Sequence, residues 1–204
     1  GYEGVSSSTD APAVAMRGQL IDVGTHRLHL DCAGSGSPTV VLEPGAGEMS
    51  AYSALIAPAV ARETRVCVYD RAGRGWSDPA PHRLDGAQVA TDLHTLLRRA
   101  RVPGPYVLAG HSFGGLYVMA FAVQYPDEVA GMVLVDSTAP SSAPVPPGPS
   151  GSDDVMARIA ALGAASTRLG LGRLITRADY ATLPAPSRET ARASAATDSG
   201  CVSA

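Results

Sequence analysis

A chain of 204 residues with 45% apolar and 17% charged side chains has the composition of a folded globular domain and is long enough to bury a core. Its 16 basic and 19 acidic residues leave a net charge of −3, which removes the basic footprint of a nucleic-acid binder. No apolar run approaches the ~20 residues of a membrane span, and Cys32, Cys67 and Cys201 lack the spacing of a metal site.

Residues 1–17 are small and polar and read as a linker or loosely held arm. Strands then begin. Gln19–Val23, a Gly24-Thr25 turn and His26–Asp31 form a predicted hairpin, in which His26, Leu28 and Leu30 alternate with Arg27, His29 and Asp31. Thr39–Glu43 is a short apolar run of the kind buried on both faces of a sheet, and Pro44-Gly45-Ala46-Gly47 ends it. Ala51–Arg62 has helical composition, with Pro58 demanding a kink or a short helix. Arg65–Tyr69 is a second buried strand running into the Gly-rich loop from Asp70 to Pro79. From Leu84 to Arg101 the apolar positions Val89, Leu93, Leu96 and Leu97 fall on one helical face. Tyr106–Ala109 is a third buried strand, Gly110–Gly114 a tight turn, Leu116–Gln124 a helix and Val129–Val135 a fourth strand. Buried strands alternating with helices imply a parallel sheet covered on both faces. Beyond Asp136 the chain becomes Pro/Ser/Gly-rich, and residues 153–197 are Ala/Arg-rich with helical spacing.

The main chemical signal is Gly110-His111-Ser112-Phe113-Gly114, a G-x-S-x-G between a buried strand and a helix. Alone the pattern is weak; its place in the chain gives it force. A serine in that turn is strained, and glycines on either side let strand and helix pack closely. Its hydroxyl then stands at a helix N-terminus, where backbone N–H groups favour developing negative charge. Acyl transfer needs two preorganised N–H donors for a tetrahedral oxyanion. Phe113, after the serine, is the first candidate, and Ala46, in the turn after the Thr39–Glu43 strand, is the second. The Asp70–Ser77 loop matches neither phosphate-binding glycine motif, so Asp70 and Arg71 are expected to tie that loop near the sheet edge.

The runs LEPGAG, VYDRAGRGWSDP, LAGHSFGG and VLVDST, in this order, resemble the α/β-hydrolase fold in its lipase/esterase/peptidase-like branch. The resemblance covers residues 18–140 well and 150–200 loosely, as that family's lid. It implies a polar arm (1–17), a hydrolase core (18–137) and a Pro-rich linker with a partial helical lid (138–204). It also implies Ser112 as nucleophile, Ala46 and Phe113 as oxyanion donors, a small-molecule ester or amide substrate, and no metal or organic cofactor. A serine nucleophile argues against the epoxide-hydrolase and dehalogenase members, which use Asp there. Similar proteins often carry a membrane-spanning segment ahead of such an arm; this chain holds none, which leaves an extracytoplasmic or a membrane-anchored full-length form open.

The triad order in this fold is Ser, then Asp or Glu, then His, yet His26, His29, His82, His94 and His111 all precede or adjoin Ser112. Each reads as structural or solvated, with His111 pointing away from the hydroxyl. Asp136 is a candidate acid, because some members place theirs after that strand; the alternative is a loop cap. The family's last two strands have no counterpart here, so the expectation is a C-terminally truncated chain. Losing the base of such a triad costs on the order of 10⁶ in kcat. The rival readings are a non-catalytic binding protein on the same fold and an inert fragment. Truncation also predicts Val129–Val135 as an exposed apolar edge. The family's strand order makes the strands of Cys32 and Cys67 neighbours, which permits a disulfide and with it an oxidising compartment.

Overall fold

The computed structural model describes residues 16–81, 84–138 and Pro140. Six strands form one sheet: β1 (Gln19–Asp22), β2 (Arg27–Ala33), β3 (Thr39–Glu43), β4 (Val66–Tyr69), β5 (Tyr106–His111) and β6 (Val129–Val135). Their spatial order is β1-β2-β4-β3-β5-β6. The first two pairings are antiparallel; β4–β3, β3–β5 and β5–β6 are parallel. The sheet is therefore mostly parallel, as expected, with an antiparallel hairpin at one end.

Helix α1 (Ala57–Val60) follows a 3-10 turn at Ser50–Leu55 and packs on β4. Pro58 sits in its first turn, where a missing N–H costs nothing, and the helical segment expected over 51–62, with a kink or a short helix at Pro58, consists of two short pieces. Helix α2 (Gly86–Arg99) starts where the Asp85 carboxylate accepts from Gln88 N at 2.9 Å. It buries Val89, Leu93, Leu96 and Leu97, the predicted face, and also Ala90 and Asp92. Helix α3 (Gly114–Gln124) packs against α2 and β5.

The core lies between these two helices and one face of the sheet, joining Leu93, Leu96, Leu97, Val118 and Phe121 to Leu28, Leu30, Val41, Cys67 and Leu108. Full burial of each such side chain stabilises by about 1.5–3 kcal/mol. The register pairs Val41 with both Cys67 and Leu108, so these three share that face.

Two expectations change, and the permitted disulfide is found. The simple in-out alternation expected of β2 fails at His29, which is buried like Leu28 and Leu30 because the Asp70–Ser77 loop folds over it. That loop does not sit near the sheet edge: β4, which feeds it, has β2 on one side and β3 on the other. Finally, Cys32 and Cys67 face each other across β2 and β4 with Cα atoms 4.1 Å apart and are joined as a disulfide. Met132, Val133, Leu134 and Val135 of β6 are 44–50% exposed, and among the described residues no strand pairs with its outer edge.

Candidate active site

Strand β5 delivers the chain to Ser112, whose φ of 51° lies in the left-handed region. A non-glycine residue is strained there, and tight packing on both sides must hold it. The flanking glycines explain how. A Cβ on Gly110 would stand 2.7 Å from the Gly114 oxygen and the Gly115 nitrogen. A Cβ on Gly114 would stand 2.5 Å from the Glu43 oxygen and 2.7 Å from the Pro44 oxygen. Any larger residue would push α3 off β5 or off the end of β3. The turn is further pinned by Ser112 N donating to Val135 O, and Thr138 N to Ser112 O, each at 3.1 Å. The Ser137 hydroxyl donates to Gly110 O at 2.8 Å.

The close approach of Gly114 brings the loop after β3 against the N-terminus of α3. Ala46 and Phe113, the two expected oxyanion donors, therefore belong to neighbouring segments. Among the described residues neither backbone N–H donates to an acceptor, and Ser112, directly before Phe113, is half-buried. Gly45 N–H, by contrast, is spent on the Glu48 carboxylate at 2.6 Å. The same Glu48 oxygen lies 3.0 Å from His111 Nδ1, so His111 turns toward the β3 loop rather than the Ser112 hydroxyl.

Beneath this loop lies a buried charge network that the sequence reading did not anticipate. Glu43, the last residue of β3, is 2% exposed. Tyr69 OH donates to one of its carboxylate oxygens and Arg71 Nη1 to the other. Arg71 Nη1 also donates to Pro44 O at 2.6 Å, and Nη2 donates to Gly45 O. The guanidinium stands 5.0 Å from the Tyr117 ring centroid of α3. Burial pushes the Glu43 carboxyl above its ordinary value, against the pull of Arg71 and Tyr69. Burial also raises the Tyr69 hydroxyl, helped by the Glu43 charge. Burial works against the Arg71 charge, but Glu43 outweighs it and the guanidinium is held protonated. The signal available in sequence was a carboxylate ending an otherwise apolar strand, with an arginine two residues past the next one.

Asp70 does separate work. Fully buried, its carboxylate accepts from Ser50 N at 2.6 Å and Trp76 N at 3.1 Å, and lies 2.9 Å from His29 Nδ1. His29 Nε2 is 2.6 Å from Arg17 O. Burial opposes the imidazolium, yet Asp70 prevails and raises the His29 pKa.

The expected acid, Asp136, follows β6 with φ 44° and is exposed; among the described residues it pairs with no histidine. His82 lies outside the described residues, as do residues 1–15 of the expected arm and the lid expected over 138–204 apart from Thr138 and Pro140. His26 lies 3.4 Å from Asp92 and His94 lies 3.0 Å from Glu128, so none of the four described imidazoles hydrogen-bonds the Ser112 hydroxyl. Among the described residues no acidic, histidine or cysteine cluster could hold a metal ion, and no helix is long and apolar enough to cross a membrane.

Comparison with known proteins identifies the fold. The family described as the alpha/beta hydrolase fold matches residues 38–165. An uncharacterized protein of Schizosaccharomyces pombe is 34% identical over 155 residues, covering 61% of this chain and 29% of its own length. The putative carbamate hydrolase RutD of Cronobacter sakazakii is 32% identical over 102 residues, covering 50% of this chain and 38% of its own. The chain thus spans less than half the length of these curated relatives. Among solved structures, Cfl2 of Burkholderia cenocepacia superposes with a TM-score of 0.63 at 27% identity, covering 85% of this chain and 64% of that one. The epoxide hydrolase CorEH superposes at 0.59 and 24% identity over 87% of this chain and 72% of its own, a likeness of fold.

Proposed function

The chain belongs to the α/β-hydrolase fold family, and from that premise we propose that it hydrolyses an ester or amide bond of a small molecule through an acyl-enzyme on Ser112. The observation that carries this reading is the pairing of a strained, glycine-flanked Ser112 with two unspent N–H donors, Ala46 and Phe113.

In this mechanism Ser112 Oγ attacks the carbonyl carbon and gives its proton to a general base. The carbonyl oxygen becomes an anion held by the Ala46 and Phe113 N–H groups, at the N-terminal end of α3. Collapse expels the alcohol or amine, which takes the proton, and leaves acyl-Ser112; water then cleaves that ester. None of the four described histidines stands as that base. Asp136 is placed as the acid only by its position after β6. The Cys32–Cys67 disulfide fits an oxidising compartment.

A second reading, a non-catalytic binding protein on the same fold, draws on the four described histidines being engaged away from Ser112. A fluorophosphonate separates the two. Labelling of the wild-type chain that disappears in Ser112→Ala supports the nucleophile. A soluble, cooperatively folded chain that binds small esters without ever being labelled supports the binder.

A further inference from the structure

We propose that Arg71 is a positioning residue for the oxyanion site: through the Gly45 carbonyl it aims and polarises the Ala46 N–H. This inference rests on the acyl-transfer reading above and adds to it the device that holds the Ala46 donor in place.

The argument turns on one peptide unit. The Gly45 C=O and the Ala46 N–H belong to the same planar peptide and point in opposite directions across it. Arg71 Nη2 donates to the Gly45 oxygen from the protein interior. The Ala46 N–H must then point outward, away from the guanidinium, on a loop that Gly114 contacts at the start of α3. Arg71 Nη1 fixes the preceding peptide in the same sense, through Pro44 O at 2.6 Å. Two successive carbonyls are therefore drawn inward by one planar cation. A carbonyl that accepts from a cation also polarises its own amide, which makes the N–H at its far end a stronger donor. The oxyanion donor is thereby connected, through a single peptide bond, to a buried positive charge.

Each further contact of Arg71 keeps that charge fixed. Glu43 neutralises it, and Tyr69 occupies the second Glu43 oxygen, so the carboxylate cannot rotate away. The Tyr117 ring limits the guanidinium on the α3 side. On the loop's other flank Glu48 takes up the Gly45 N–H and meets His111. Pro44–Glu48 is thus held from below by Arg71 and from the side by its own Glu48, while Ala46 N–H is left to the site. An ammonium on a flexible stem cannot reproduce this: the three acceptors need the planar fork of arginine.

The test compares the wild-type chain with Arg71→Lys and with the double variant Arg71→Met/Glu43→Gln. The double variant removes both charges together, so no lone buried ion is left to unfold the protein. Inactivation by a fluorophosphonate is resolved into kinact and KI, and the Ala46 amide order parameter is measured by NMR. The expected result is cooperative unfolding in the variants, KI unchanged, and kinact lowered by about 100-fold, as for loss of one oxyanion donor. The Ala46 order parameter should fall from about 0.85 to below about 0.6. A merely structural arginine would lower stability without splitting kinact from KI. An unchanged kinact in a folded variant overturns the role of Arg71 while leaving Ser112 as nucleophile. Failure to label the wild-type chain overturns the acyl-transfer reading instead, and the Ala46 amide then decides whether Arg71 holds the loop. Should neither variant fold, the wild-type amide decides: strand-like order at Ala46 supports the proposal, and order below about 0.6 overturns it.

Discussion

Between β2 and β4 the sheet carries a disulfide, and just past β4 the buried Asp70 carboxylate gathers Ser50, Trp76 and His29 from three separate segments. Between β5 and β6 the described residues hold no such disulfide or buried carboxylate, and the Ser137 hydroxyl donates to Gly110 O. The link there is a backbone ladder, extended past the strand ends by Ser112 N to Val135 O and Thr138 N to Ser112 O. The nucleophile candidate sits on this second half, held by backbone hydrogen bonds and by steric exclusion of side chains at Gly110 and Gly114. The Pro44–Glu48 loop, proposed above to carry an oxyanion donor, lies at the seam between the halves, and the charge network that grips it joins Glu43 at the end of β3 to Tyr69 and Arg71 of β4 and its loop. The side-chain links are thus concentrated at β4 and its loop, which reach the Pro44–Gly45 carbonyls through Arg71, while β5 contributes the strained turn.

This contrast can be broken from either side. Asp70→Ala should have the largest effect, about 3–5 kcal/mol, because it strips a buried imidazole and two part-buried N–H groups of their acceptor at once; a urea midpoint that falls with an unchanged m-value would show it. Next, Cys32→Ser/Cys67→Ser should cost about 2–4 kcal/mol by freeing a loop of 35 residues in the unfolded chain. Its fluorophosphonate reactivity should stay close to wild type under conditions where the protein remains folded. Gly114→Ala should do the opposite: a stability loss of about 1–3 kcal/mol from overpacking, accompanied by loss of Ser112 labelling, because the displaced atoms are the Glu43 and Pro44 carbonyls. If the disulfide variant loses reactivity and Gly114→Ala keeps it, the division of labour drawn here is wrong.

The smallest effect concerns pH. The folded-state pKa of His29 is raised above the ordinary 6.5 by Asp70, so the imidazolium's contribution is complete below that ordinary value. It is lost as pH rises through the raised value. Wild type should therefore exceed His29→Gln in stability most at pH below 6.5, with the gap narrowing in alkaline buffer, by thermal unfolding across a pH series. A gap that widens with pH would contradict the charged pairing with Asp70.

The elements that a sequence displays as uninterrupted apolar runs were legible to within two residues, Arg65–Tyr69 shortening to Val66–Tyr69 and Tyr106–Ala109 extending to His111. Thr39–Glu43 and Val129–Val135 have the bounds that their patterns predict, and the α2 face was read from its spacing. The Ser112 turn was legible because a strand, two glycines and a helix leave few other conformations. What escaped was long-range. His29 reads as a solvent-facing residue of an alternating strand until the Asp70–Ser77 loop, 48 residues away at Ser77, covers it. Arg71 reads as a loop tie because its acceptors, Glu43, Pro44 and Gly45, lie on another strand end, and two of them are backbone carbonyls without a signature in sequence. Pro58 correctly announced a break near Ala57 but not that the helix would divide into a 3-10 turn and a single α-turn.

The central claim is that Ser112, Ala46 and Phe113 form one acyl-transfer site. A crystal structure of the fluorophosphonate-treated chain tests it most directly. The account predicts phosphorus bonded to Ser112 Oγ, with its unesterified oxygen about 2.7–3.1 Å from both the Ala46 and Phe113 nitrogens. An unmodified Ser112, or an adduct whose oxygen faces away from those two donors, would contradict it.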